Sequence, residues 1–330
     1  MSPDASLEVT DLSISYPIAR GPFRAPAELK AVRDVSFTLD RGRTLGVVGE
    51  SGCGKSTLAR GILRLQDPTS GTVQWNGQVV SQLSEAGFRK VRPQMQMVFQ
   101  DPLASLNPRM RVADIIAEPL LTHRPQLSAA DRKAQVLKTM ERVGLRPEMA
   151  ERYPHEFSGG QAQRIGIARA IVLEPGLLIC DEAVSALDVS IRAQVLVLLE
   201  DLQKTLGIAI LFISHDLAVV RYIANEVMVL YLGRVVEYAS REVLFANPKH
   251  PYTKALIGSV LSKNPLIERH HQGPQIGADL PSPIDPPPGC PFSTRCPLVQ
   301  PVCRVTMPPL LTQANGARVA CHMVGNQAAD

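Results

Sequence analysis

The chain has 330 residues, 45% apolar and 20% charged, which is ordinary globular material for one large domain with an appendage or for two modest domains. Basic residues number 35 against 31 acidic, and a net charge of +4 is too mild for a nucleic-acid or anionic-membrane surface. The polar, acidic start MSPDASLEVTD does not read as a signal peptide, and no apolar run approaches the roughly 18 residues of a membrane span, so a cytosolic location is expected.

In chain order, residues 7–16 and 31–39 alternate apolar and polar positions as half-buried strands do, with the Pro-rich, basic loop PIARGPFRAPAELK (17–30) between them. TLGVVG (44–49) is apolar throughout, which predicts a strand buried on both faces, with a helix directly after it. TVQWNGQVV (72–80) carries Asn76-Gly77 between apolar flanks, a hairpin signal. From 103 to about 160 the pattern turns helical. Ser128 and Asp131 open a segment with Val136, Leu137, Met140 and Val143 on one face, and Gly144 closes it. LLICD (177–181) predicts a buried strand, followed by a helix with Ile191, Val195, Leu198, Leu199 and Leu202 in one stripe. Gly207, a strand ending in ISHD, and a second hairpin, VMVLYLGRVVEY (227–238), come next. There is no internal repeat. After about residue 250 the composition shifts, and PSPIDPPPG (281–289) reads as a stiff spacer. Buried strands alternating with helices predict an α/β fold with a mainly parallel sheet.

GESGCGKST runs Gly49, Glu50, Ser51, Gly52, Cys53, Gly54, Lys55, Ser56, Thr57 and fits a P-loop, placed after a buried strand and before a helix as that motif requires. Its glycines let backbone N–H groups close on phosphate oxygens at a helix N-terminus, where the helix dipole also favours an anion. Lys55 is expected to reach the β- and γ-phosphates and Ser56 to hold Mg²⁺. In LLICDE, four strand residues deliver Asp181 to a sheet edge to hold the Mg²⁺ shell, and Glu182 follows as general base for an attacking water. FSGGQAQRIGIARA (157–170) opens a second helix with bare backbone donors, hence a second anion site. One P-loop already accounts for one nucleotide, so the economical reading gives this site to another copy of the nucleotide across a dimer interface.

With those three segments in place the chain resembles the ATPase subunits of ABC transporters over residues 7 to about 250. Their signature appears as Phe157-Ser158-Gly159-Gly160-Gln161. The resemblance implies that Gln100 (in VFQDP) joins the Mg²⁺ site and the catalytic step, that Asp188 (in Ser185-Ala186-Leu187-Asp188) lies at the dimer contact, that His215 (in FISHD) is the catalytic switch, and that Tyr16 stacks on adenine. It also implies a P-loop ABC ATPase fold: a mainly parallel core, an antiparallel β subdomain and a helical subdomain at about 103–165. Ala162 departs from the pattern, since an arginine is common there, and puts a peripheral surface contact in doubt. Non-transport ABC ATPases, translation factors and DNA-repair types, are the rival class. One P-loop per chain and no coiled-coil insertion between Lys55 and Ser158 argue against them.

Within the family, MVFQDPLASLNPRM, YPHEFSGGQ, DEAVSALDVS and a tail running from HPYTKAL (250–256) to VACH (319–322) are similar to importers of oligopeptides, dipeptides, nickel, glutathione and opines. The form GCGKST and the long loop after Tyr16 resemble the second, F-type ATPase of such systems. The resemblance implies domains 1–250 (ATPase) and 251–330 (importer-type C-terminal region) and a paralogous ATPase as heterodimer partner. Two transmembrane permease subunits, an extracytoplasmic substrate-binding protein and a peripheral place on the cytoplasmic face of the inner membrane go with them. Each ATP would lie between one subunit's P-loop and the other's Ser158, Gly159, Gly160 and Gln161.

Four of the six cysteines, Cys290, Cys296, Cys303 and Cys321, crowd the tail. Clustered thiols in a reducing compartment suggest metal ahead of disulfides. Zinc sites favour closely spaced cysteine pairs, absent here, whereas a [4Fe–4S] cluster needs four thiolates and tolerates irregular spacing. Zn²⁺, a cluster and unmetallated thiols stay open on the residues, and the resemblance to peptide-importer tails implies the cluster. The tail has few large apolar residues, so a metal is expected to supply its folding free energy. Cys53 and Cys180 are expected to be small packed residues.

Overall fold

The computed structural model describes residues 5–18, 27–259 and 281–324. They begin with strands β1 (Ala5–Ile18), β2 (Ala27–Asp40) and β3 (Thr44–Val48), helix α1 (Lys55–Ile62), strands β4 (Ser70–Trp75) and β5 (Gln78–Val79), helix α2 (Glu85–Val91) and strand β6 (Met95–Val98). Helices α3 (Pro102–Ser105), α4 (Val112–His123), α5 (Ala129–Arg142) and α6 (Gly159–Ile171) follow, then β7 (Leu177–Asp181), α7 (Val189–Leu206), β8 (Ala209–Ile213) and α8 (Leu217–Ile223). The chain continues through β9 (Glu226–Tyr231), β10 (Arg234–Ser240), α9 (Arg241–Ala246) and α10 (Pro251–Gly258), and ends with α11 (Pro301–Val305), β11 (Leu311–Thr312) and β12 (Arg318–Val319). Among the described residues no helix is long and apolar enough to cross a membrane.

Two compact units share these elements: the described residues of Met1–Glu8, Thr38–Thr44 and Gln74–Ile213, and those of Val9–Phe37, Leu45–Val73 and Ser214–Asp330. In the first, β6, β7 and β8 run parallel, with Met95 opposite Leu177 and Leu177 opposite Ala209. Every residue of β7 and β8 is buried, which explains their unbroken apolar text. The Asn76-Gly77 pair turns β4 into β5 with positive φ at both residues (47° and 77°), as a two-residue hairpin of matching twist requires. Trp75 lies against Gly176, where an added Cβ would stand 2.7 Å from the indole, and its Nε1–H donates to Gln94 Oε1 at 2.8 Å. Ser128 caps α5 by accepting from the Asp131 N–H at 3.1 Å. Gly144, with φ 71°, follows its end. Helix α6 packs on α3, α4, α5 and α7.

In the second unit β2, β1 and β4 are neighbours in that order. The basic loop is shorter than its composition predicts. Ala27 to Lys30 already belong to β2 and alternate half-buried and exposed, while residues 19–26 lie outside the described residues. Strand β3 runs parallel to β9, with Leu45 opposite Glu226. From β9 onward the sheet is antiparallel: β10 returns through a turn at Leu232-Gly233, β12 pairs on β10, and β11 on β12. The sheets are therefore mixed, because a two-residue turn can only return a strand antiparallel and the tail adds its strands along that edge.

Candidate nucleotide-binding site

Five buried residues of β3 carry the chain to Gly49. A Cβ on Gly49 would stand 2.3 Å from Leu230 O, and one on Gly54, whose φ is 104°, would stand 2.1 Å from Ala31 O. Only glycine allows this approach, and it draws the loop tight under α1. No side chain caps the first turn of α1, as suits a helix start that meets an anion. Lys55 is 4% exposed, and its Nζ donates to Gly49 O at 2.8 Å and Glu50 O at 3.0 Å, bracing the loop that precedes it. Burial pushes the Cys53 thiol up against the opposing pull of Lys55, which keeps it a neutral packed side chain. Ser51 and Gly52 are exposed and Ser56 and Thr57 half-buried, while Tyr16 is half-buried near the end of β1.

In the first unit, β7 ends at Asp181, 6% exposed, and Glu182 follows with φ 48°. A left-handed backbone at a glutamate costs about 1–3 kcal/mol and persists where its surroundings over-determine it. Here they do. The Glu182 N–H donates to Ile213 O at 3.0 Å, and its C=O accepts from the Ser185 N–H at 3.1 Å and from Ser185 Oγ at 2.9 Å. The turn leaves the Glu182 carboxylate half-buried, accepting from Gln100 Nε2 at 3.3 Å. Two residues 82 positions apart in the chain, singled out separately in the sequence, therefore meet. Cys180, two residues before Glu182, is wholly buried and its thiol is pushed up to about 12.

Ser158 caps α6 reciprocally. Its Oγ accepts from the Gln161 N–H at 3.4 Å, and Gln161 Oε1 accepts from the Ser158 N–H at 3.1 Å. Ser158 and Gly159 are exposed, whereas Gly160 is buried against α7, where a Cβ would meet Ile191 Cγ2 at 2.2 Å. Leu187 lies beside Gly159, and Asp188 is exposed at the start of α7 with its side chain unused as a cap. Ala162 is fully buried, so this position faces the interior and not the peripheral surface its sequence context suggested. In the second unit Ser214 donates its N–H to Val47 O at 3.1 Å, and Asp216 caps α8. These two leave His215 exposed between them.

All four tail cysteines are free thiols. Burial pushes Cys290 up to about 11, and Cys303, Cys321 and Cys296 each push the same way. The expected metal site is nevertheless not assembled: among the described residues no group of three or more His, Cys, Asp or Glu side chains is placed to hold a metal ion. Burial raises the Cys290, Cys296 and Cys321 thiols and so favours their neutral form where no metal is bound. The tail's described residues are anchored by protein contacts. Val319 and Arg318 of β12 pair with Glu237 and Tyr238 of β10, and Phe292, 1% exposed, sets its ring edge-on to Tyr231 at 5.3 Å. Sequence reasoning missed two further residues at the loop. Tyr252 and Arg295 both bind Glu50, and only their placement in space reveals it.

Two helix starts, one behind the Gly49–Thr57 loop with no side-chain cap and one behind Ser158 with Ser158 and Gly159 exposed, suit a nucleotide-dependent ATPase that works as a pair. The chain belongs to the ABC transporter family. The ABC transporter model matches residues 32–185, and that of the oligopeptide/dipeptide transporter C-terminal region matches 236–303. The chain is 52% identical over 321 residues to the oligopeptide transport ATP-binding protein OppF of Haemophilus influenzae, covering 96% of this chain and 97% of that one. It is 48% identical over 318 residues to the dipeptide transport ATP-binding protein DppF of Escherichia coli, covering 96% and 94%. Among solved structures, cbiO1 of Clostridium perfringens, part of the ABC transporter complex cbiONQ, superposes with a TM-score of 0.65 at 28% identity, over 74% of this chain and 92% of that one. The bacterial ABC transporter cassette MJ0796, solved as a dimer, gives 0.64 at 25% identity, over 71% and 98%.

Proposed function

We propose that this chain is the ATP-hydrolysing subunit of a membrane importer of di- or oligopeptides. The observation that carries the reading is similarity along nearly the whole chain to ATP-binding proteins of oligopeptide and dipeptide transport, tail included. Residues 1–250 form the ATPase domain, with the signature-bearing helical part at about 103–165, and 251–330 the importer C-terminal region. The P-loop from Gly49 to Thr57 holds the phosphates with Lys55. Ser56, Asp181 and Gln100 serve Mg²⁺, and Tyr16 takes the adenine. Glu182 withdraws the proton from the attacking water and His215 steadies the γ-phosphate. Ser158, Gly159, Gly160, Gln161 and Asp188 act on the nucleotide of a paralogous partner. The γ-phosphate bridges the two subunits, so hydrolysis removes the contact that favoured the closed pair. That cycle is passed to two permease subunits at the cytoplasmic face of the inner membrane, with an extracytoplasmic receptor supplying the peptide.

Glu182→Gln tests the central assignment. The variant should bind ATP and Mg²⁺ yet lose nearly all turnover, by about 10²-fold or more. Hydrolysis near the unaltered rate would remove Glu182 from the role of base.

For the tail, the family resemblance and the four cysteines of the C-terminal region support a [4Fe–4S] cluster, with zinc as the competing occupant, either of which would displace the thiol protons on binding. Anaerobic purification followed by iron, acid-labile sulfide and zinc assays decides it. About four irons and four sulfides per chain are expected, and neither metal would leave the cysteines as a plain thiol cluster.

A further inference from the structure

Glu50, the second residue of the nucleotide loop, is gripped at each of its polar groups. Its carbonyl accepts from Lys55 Nζ at 3.0 Å, inside the loop. The other two attachments come from the far end of the chain. Its N–H donates to Tyr252 Oη at 2.8 Å, and its carboxylate takes both terminal nitrogens of Arg295, Nη1 to Oε2 at 2.8 Å and Nη2 to Oε1 at 3.0 Å. This is a fork-on-fork pair, the geometry in which arginine fixes direction as well as charge. It is also screened from solvent: the Arg295 side chain is 8% exposed and the Glu50 side chain 26%.

The anchors are themselves fixed. Tyr252 is fully buried in α10, edge-on to Tyr231 at 4.7 Å, and packs on Phe292 at 5.5 Å. Arg295 is held by its N–H to Phe292 O at 3.0 Å and by Nη1 to Tyr231 Oη at 3.4 Å, and it sits one residue before Cys296. Tyr231 ends β9, the strand parallel to β3 that delivers the loop. A buried aromatic cluster thus connects the cysteine-bearing tail to one residue of the phosphate-binding loop.

We infer that Arg295 and Tyr252 are positioning residues of the nucleotide site, holding Glu50 so that the loop's backbone N–H groups are preset for phosphate. The inference rests on the reading of Gly49–Thr57 as the nucleotide loop. Lys55 and the Cys53 N–H, at 3.3 Å from Glu50 O, brace the loop from within, Tyr252 and Arg295 from outside, and a loop that must order itself on binding loses affinity by that ordering. The C-terminal region is then part of the ATP site and not only an appendage to it.

The test is calorimetric titration of the full-length chain with MgATP. Arg295→Gln and Tyr252→Phe should each weaken Kd by roughly three- to tenfold, as loss of a hydrogen bond to a charged or loop-bound group does. Binding stoichiometry should stay at the unaltered value, whereas a merely structural lesion would lower the stoichiometry and leave Kd of the folded fraction alone. Glu50→Gln combined with Arg295→Gln should weaken binding no more than Arg295→Gln by itself, because both remove the same pair. Kd within twofold of the unaltered value in Arg295→Gln and Tyr252→Phe would overturn the inference. If Arg295→Gln misfolds, Tyr252→Phe decides alone, since it removes one oxygen and keeps the ring. Failure of the unaltered chain to bind MgATP would instead overturn the nucleotide reading itself.

Discussion

Replacing His250 by asparagine should flatten the acid side of the stability profile. His250 is 1% exposed and caps α10, its Nδ1 accepting from the Tyr252 N–H at 3.1 Å while its backbone N–H donates to Glu237 Oε2 at 2.9 Å. Burial pushes the imidazole from 6.5 down to about 3, so the folded chain keeps it neutral while the unfolded chain takes up a proton. A folded value below the unfolded one means that the stability is present above pH 6.5 and is lost as pH falls toward 3. The slope is about 1.4 kcal/mol per pH unit, or roughly 2 kcal/mol between pH 6.5 and pH 5. Glu237 works the other way. Burial raises its carboxyl, so it gains stability as pH falls through its folded value, and only the difference between the two proteins isolates His250. Asparagine keeps a capping acceptor and cannot titrate. Urea unfolding of both proteins between pH 7 and pH 5 should show the variant losing about 2 kcal/mol less. Equal losses in both would refute the argument that His250 is held neutral by burial.

Lys55→Ala removes the group that braces Gly49 O and Glu50 O and that is assigned to the phosphates, so MgATP affinity should fall by about 10²-fold; unchanged affinity in a nucleotide titration would count against that assignment. Gly160→Ala drives a methyl group to 2.2 Å from Ile191 Cγ2, and overpacking of that kind costs about 1–3 kcal/mol. Its thermal midpoint should drop by several degrees, and an unchanged midpoint would mean that Ile191 swings aside freely.

Local text foretold local structure well. The Asn76-Gly77 hairpin, the buried strands β3, β7 and β8, and the cap at Ser128 each follow from a few adjacent residues whose preference the surroundings reinforce. The early start of β2 at Ala27 was obscured because proline and basic residues upstream masked an alternation already under way. Other features had no local signal at all. The left-handed backbone at Glu182 is imposed by bonds to Ile213 and Ser185, and the meeting of Gln100 with Glu182 depends on the parallel register of β6 and β7. Glu237 reads as an ordinary strand glutamate, yet it is buried and accepts the Lys249 and His250 N–H groups. The tail's attachment had no local signal either, since one phenylalanine and a two-residue strand pairing anchor it.

The pairing of Glu50 with Arg295 also bears on how the protein is made, because 245 positions separate the two residues. At the ribosome's pace of roughly 5–20 residues per second, the nucleotide loop is synthesised about 12–50 seconds before the arginine that holds it. Through that interval the nascent ATPase carries a loop without its restraint, and nucleotide cannot yet be gripped at full strength. Tight binding then becomes a property of finished molecules only. A messenger truncated before residue 295 yields a chain that competes poorly for ATP.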